Sequence, residues 1–114
     1  MHEQPLSGHD GETLDPQDWD AMRRLAHRIT DDALDYIQSA RERPVWQPVP
    51  ADVAARLTAS APARPSDPAA VYEEFRRDIM PYPMNTTHPR FWAWYMGSGT
   101  VMGALADLLA SALN

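Results

Sequence analysis

His88-Pro89-Arg90-Phe91-Trp92-Ala93-Trp94-Tyr95-Met96-Gly97-Ser98-Gly99-Thr100 is the stretch on which the reading of this chain turns. Phe91, Trp92, Trp94, Tyr95 and Met96 put five large apolar side chains into six positions. No alternation of inward and outward positions hides such a run. As a strand it would need cover on both faces. Nothing else among the 114 residues reads as a convincing strand to pair with it. The stretch asks for more protein than the chain supplies.

On its C-terminal side, Gly97-Ser98-Gly99 interrupts regular structure and Thr100 is suited to cap a helix over 101–113. That helix is apolar on nearly every side, with Asp107 its only charge, so it is expected to be buried. Gly97-x-Gly99-x-x-x-Gly103 has the wrong spacing for a dinucleotide fingerprint, and a Walker loop needs a lysine. A tight turn before a buried helix is favoured over phosphate binding. Residues 91–113 are nearly uncharged, but Ser98, Thr100, Asp107 and three glycines interrupt them and no basic residue follows, which disfavours a membrane span.

Upstream, Asp15-Pro16 reads as a helix start, with Asp15 as cap and Pro16 in the first position. Met22, Leu25, Ala26, Ile29, Ala33, Tyr36, Ile37 and Ala40 recur at helical spacing and predict one amphipathic helix over 16–42, about 40 Å long at 1.5 Å per residue. Its single apolar stripe calls for a partner surface. The prolines of Arg43-Pro44-Val45-Trp46-Gln47-Pro48-Val49-Pro50 impose an extended path. Residues 52–59 predict two helical turns, with Val53 and Leu57 on one side. A proline-rich linker over 61–68 leads to a short helix capped by Ser66 or Asp67, with Val71, Tyr72, Phe75 and Ile79 facing inward and Pro81 and Pro83 ending it. Glu74 and Asp78 share a face that reads as solvated. His88 reads as a turn residue whose ring bonds the backbone before Pro89, in preference to a catalytic group.

Composition removes several function classes. A net charge of −6 without a basic patch argues against a nucleic-acid partner. The chain has no cysteine, hence no disulfide framework and no thiolate metal site. His2, His9 and His27 have no ligand cluster around them, and no metal site is expected. The chain has no lysine, so chemistry that needs a lysine amine is closed to it. Residues 1–14 read as a mobile tail with no secretory signal, consistent with a cytoplasmic protein.

Met80-Pro81-Tyr82, Asn85-Thr86-Thr87-His88-Pro89-Arg90-Phe91-Trp92-Ala93-Trp94, Gly97-Ser98-Gly99-Thr100, Leu105-Ala106-Asp107-Leu108-Leu109 and Ala112-Leu113-Asn114 together resemble the N-terminal region of the group II pyridoxal-phosphate-dependent amino acid decarboxylases, the family of the aromatic amino acid, histidine and glutamate decarboxylases. The resemblance covers roughly residues 16–114 and is densest over 80–114. It implies a mostly α chain: the N-terminal helical flap of a type I pyridoxal-phosphate fold, incomplete as given. It divides the sequence into a tail (1–14), a flap (15–79) and a pocket-lining segment with a buried helix leading to the cofactor domain (80–114).

The resemblance also implies an obligate homodimer in which the flap packs over the other subunit, an amino acid substrate, and pyridoxal 5'-phosphate as cofactor of the complete enzyme only. By the same resemblance Trp94, Tyr95, Met96 and Gly97 line the substrate side of the pocket as wall residues, with no catalytic or cofactor-binding residue among the 114. Aromatic amino acid decarboxylases usually carry proline and threonine, or similar, where Met96-Gly97 stands, and this departure counts against an aromatic substrate. The family's Schiff-base lysine, the histidine stacked on the cofactor and the aspartate on the pyridine nitrogen come later in the chain than Asn114. The expected function is therefore that of a decarboxylase (carboxy-lyase) fragment, a truncated product or one piece of a split enzyme, inactive alone. The alternative is a non-catalytic helical interaction module that binds a decarboxylase subunit.

Overall fold

A computed structural model of the chain describes residues 13–95, 97 and 99–114. It is helical, with no strand among the described residues. In chain order it has α1 (Trp19–Gln38), a 3-10 turn (Ala40–Glu42), α2 (Ala51–Leu57), α3 (Pro68–Asp78) and α4 (Val101–Leu113). Most of the expected mobile tail, 1–12, lies outside the described residues.

The first helix is shorter at both ends than its periodicity predicts. Asp18, not Asp15, is the cap: its backbone is extended at φ −122° and ψ 98°, and its side chain accepts the Ala21 N–H at 2.9 Å. Asp15 is instead held in a turn in which its N–H donates to Thr13 Oγ1 at 3.1 Å. At the other end Ser39 Oγ donates back to the Asp35 carbonyl at 2.7 Å, and the chain tightens into the 3-10 turn. Arg43, extended ahead of Pro44 at φ −92° and ψ 155°, prevents the helix from resuming. Its guanidinium folds back instead, 3.5 Å over the Tyr36 ring, and donates to the Tyr36 carbonyl and to Ser39 Oγ. The first of these bonds reaches a carbonyl that the helix end leaves open.

After the proline-rich strap 43–50, α2 buries Val53, while Leu57 stays exposed. In α3, Asp67 is the cap, accepting the Ala70 N–H at 3.0 Å, with Pro68 at the helix start, where a missing N–H costs nothing. Of the four side chains expected to face inward from this helix and its end, only Tyr72 is buried. Val71, Phe75 and Ile79 remain exposed. Phe75 and Ile79 border an open groove between α1 and α3. Ala33, Tyr36 and Ile37 from α1 and Phe75, Ile79, Met80 and Pro83 from the other side line it, and about 380 Å³ between them is open.

Charge closes the same helix pair at its rim. Tyr72 Oη donates to Asp32 Oδ2 at 2.7 Å, Arg76 Nε lies 3.2 Å from that oxygen, and Arg28 pairs with Glu73. Helix α4 begins as expected, with Thr100 Oγ1 accepting the Gly103 N–H at 3.0 Å. It is not buried within this chain: no α4 residue is buried, and Leu113 keeps 84% of its surface. Among the described residues no helix is long and apolar enough to cross a membrane.

Candidate pocket wall and its anchor

The aromatic stretch leaves the rest of the chain through a short polar knot. Asn85 sits at its centre, only 3% exposed. Its Nδ2 donates to the Ala40 carbonyl at 2.9 Å, across to the 3-10 turn. Its backbone N–H donates to the Val45 carbonyl at 3.0 Å, in the strap. Thr87 Oγ1 donates to Asn85 Oδ1 at 3.0 Å, and the His88 N–H donates to the Asn85 carbonyl at 2.9 Å. One buried residue thus fixes the end of α1, the strap and the start of the aromatic stretch relative to one another. Gln47 adds a second tie, its Nε2 donating to the Pro81 carbonyl at 2.7 Å.

Beyond Asn85 the chain turns twice. The ring Nδ1 of His88 accepts the Arg90 N–H at 3.0 Å, and the Phe91 N–H donates to the His88 carbonyl at 2.9 Å. His88 is a turn residue as expected, but its ring holds the backbone after Pro89 rather than before it. Phe91 is half-buried and meets Trp94 edge-on, with ring centroids 6.2 Å apart at 79°. From there the described residues among those expected to form the wall open outward. Trp94, Tyr95 and Gly97 are exposed, and so is Trp92 at 88%. Nothing lies within 4 Å of where a Cβ on Gly97 would stand. Met96 lies outside the described residues.

The second polar centre is Asp78, at the end of α3. It was expected on a solvated face, yet it is 4% exposed. Arg56 reaches it from α2 with two bonds, Nε to Oδ2 at 3.0 Å and Nη2 to Oδ1 at 2.8 Å. Arg77 forks onto the same carboxylate at 2.9 and 2.7 Å. Hydrogen bonds from Arg77 and then Arg56 hold the Asp78 carboxyl well below the usual carboxylate range, against the opposing effect of desolvation. The Tyr72 phenol moves the other way. Burial first, then its bond to Asp32, pushes it up to about 12.

The Gly97–Gly103 loop offers little to a phosphate, since Thr100 already takes the Gly103 amide. Among the described residues no cluster of histidines and carboxylates could hold a metal ion.

Sequence reasoning missed both polar centres, although each had a signal. An aspartate in the last turn of a helix opposes the helix dipole, so Asp78 needed cations from elsewhere. Asn85, between Pro83 and Pro89, carries a side-chain amide that can both donate to and accept from neighbouring groups.

Known proteins are similar to this chain in sequence and fold. No family model matches the chain. A tyrosine decarboxylase of Papaver somniferum is 32% identical over 100 residues, 87% of this chain and 20% of that protein. An aromatic-L-amino-acid decarboxylase of Bacillus atrophaeus is 30% identical over 94 residues, 82% and 20% of the two chains. Among solved structures, Oryza sativa TDC with PLP superposes at a TM-score of 0.71 with 28% identity, covering 90% of this chain and 22% of that one. Catharanthus roseus tryptophan decarboxylase in complex with L-tryptophan gives 0.68 and 26%, covering 89% and 22%.

The chain matches the N-terminal region of the group II pyridoxal-phosphate-dependent decarboxylases. It spans about a fifth of the length of the curated relatives it matches. Within this decarboxylase region the helices and the Asn85 knot account for most of the buried side chains, and the aromatic stretch with α4 accounts for much of the exposed apolar surface.

Proposed function

We propose that this chain contributes dimer contacts and one wall of the substrate pocket to a pyridoxal-phosphate-dependent amino acid decarboxylase, and that it catalyses nothing alone. The observation that carries the reading is the open apolar surface of Trp92, Trp94, Met102, Leu108, Leu109 and Leu113. So many exposed large apolar side chains within 92–113 call for a partner. Bound pyridoxal phosphate supplies the electron sink for loss of the carboxylate. The lysine that holds it must come from outside these 114 residues, which contain none.

Trp94, Tyr95, Met96 and Gly97 serve as wall. They exclude water and shape the space for the substrate side chain, acting as wall and not as acids or bases. The partners are a second subunit or a complementary lysine-bearing decarboxylase chain, and the compartment is the cytoplasm.

Carbon dioxide release tests the reading. The purified chain, given pyridoxal phosphate and amino acids, releases none. Mixed with a decarboxylase body that lacks this region, it restores release, and Trp94→Ala lowers the restored rate. Carbon dioxide from the chain alone would sink the proposal. The absence of lysine favours one second reading, a non-catalytic helical module that binds a decarboxylase subunit. That module co-purifies with the body but leaves its turnover unchanged.

A further inference from the structure

We infer that Asn85 is the positioning residue of the aromatic stretch: through its side-chain amide it aims Phe91–Tyr95 from the end of α1. The inference rests on the pocket-wall reading for its use, but not for its geometry. Asn85 and Asp78 are the buried polar residues among those described, and Asp78 faces α2, away from the stretch. Asn85 alone holds four hydrogen bonds that cross three segments: to Ala40 in the 3-10 turn, to Val45 in the strap, and from Thr87 and His88 in the turn that launches the aromatics. The amide group is needed at both ends. Its NH₂ must donate to a carbonyl while its oxygen accepts from a hydroxyl. Neither a carboxylate nor an apolar residue of that size can do both.

The consequence is a relay. A shift of the α1 end moves the Ala40 carbonyl, and with it Asn85 and the base of the wall. Anything that seats α1 on a partner therefore also sets Trp94 and Tyr95. Wall and flap are one mechanical unit although they are separated by more than 40 residues of chain, since Asn85 bonds to a residue 45 positions away.

The test uses the full chain and reads backbone and indole N–H resonances by NMR. In Asn85→Ala, amide-exchange protection at His88 and Phe91 falls about tenfold at neutral pH, the scale set by leaving a buried carbonyl unpaired. The resonances of Trp92 and Trp94 move. Asn85→Asp separates hydrogen bonding from space-filling. Its ionised carboxylate faces the Ala40 carbonyl with no donor, whereas its protonated form can donate again. Burial raises the pKa of such a carboxyl. The indole resonances of Asn85→Asp then match the parent at about pH 4 and depart from it by pH 8, reversibly, after subtraction of the parent's own histidine titration. Asp78, held low by its two arginines, stays ionised throughout that range.

Parent-like resonances for Asn85→Ala would overturn the inference. So would an Asn85→Asp spectrum that differs from the parent equally at both pH values, because the side chain would then only fill space. None of these outcomes depends on decarboxylation. A failed activity restoration would remove the pocket while leaving the relay intact.

Discussion

Residues 19–90 and residues 91–114 both leave large apolar side chains in water, and they differ in how much polar bonding ties each together. Apart from Arg43 Nη2, which is buried without a partner, the first segment closes its buried polar side chains on itself. Asp18 and Asp67 cap their own helices, Arg43 covers the end of α1, Asp78 is held by two arginines, and Asn85 is fully engaged. The second has its cap in Thr100 and one aromatic pair, but its large side chains face solvent. The difference bears on where the proposed partner would sit. Polar bonds are short-ranged and directional, so they were completed inside the chain. Apolar burial scales with area, and this chain has too little area to cover 91–114.

The contrast breaks most severely at Asp78. Asp78→Ala leaves the guanidinium groups of Arg56 and Arg77 without the carboxylate that joins α2 to α3, and the loss of a charge partner at a buried site outweighs the loss of an exposed pair. It is expected to give the largest fall in Tm of any single change in 19–90, read by the helical circular dichroism signal. A parent-like Tm would mean that the ion cluster is only a solvated decoration.

Acid sharpens the same point. The folded pKa of Asp78 is depressed, so its contribution is fully present above the unfolded value of about 4. It drains away as pH falls from there toward the folded value. Asn at this position removes the linkage. The stability difference between the parent and Asp78→Asn therefore shrinks steadily below about pH 4, as measured by urea unfolding at each pH.

Tyr72 gives a smaller and oppositely directed effect. Its phenol is raised from 10 to about 12, so the neutral form is the one that folding favours. That stability is intact below about pH 10 and is lost as pH rises through the folded value. Tyr72→Phe should cost about 1 kcal/mol at neutral pH through the lost bond to Asp32. It should also flatten the alkaline limb between pH 10 and 12, seen in the same urea series.

What was legible in the sequence follows the same divide. Local chemistry could be read: the apolar period of α1, Pro68 opening α3, Thr100 capping α4, and the crowding of Phe91 to Met96. The signature around His88-Pro89 placed the chain in its family. Pairings across the chain could not be read. Asp78 looks solvated beside Glu74 because helical spacing says nothing of Arg56, 22 positions upstream. The cap of α1 moved from Asp15 to Asp18 because both residues precede an apolar period, and only backbone geometry separates them. The exposure of Val71, Phe75 and Ile79 was hidden for a different reason. Periodicity reports which face is apolar, not whether this chain or another covers it.

The smallest effect in the isolated chain is the most telling one. Leu109→Gln with Leu113→Gln keeps good helix formers in α4 but removes two apolar side chains that are 63% and 84% exposed. Stability of the chain alone should change by no more than about 0.5 kcal/mol, as for ordinary surface substitutions. If a decarboxylase body covers α4, each leucine contributes roughly 1.5–3 kcal/mol to that association. The double variant should then bind the body at least about a hundredfold more weakly by titration calorimetry, with its own unfolding curve unmoved. A loss above 1 kcal/mol in the chain alone would mean that α4 already packs against α1–α3, and the two halves would no longer be distinct.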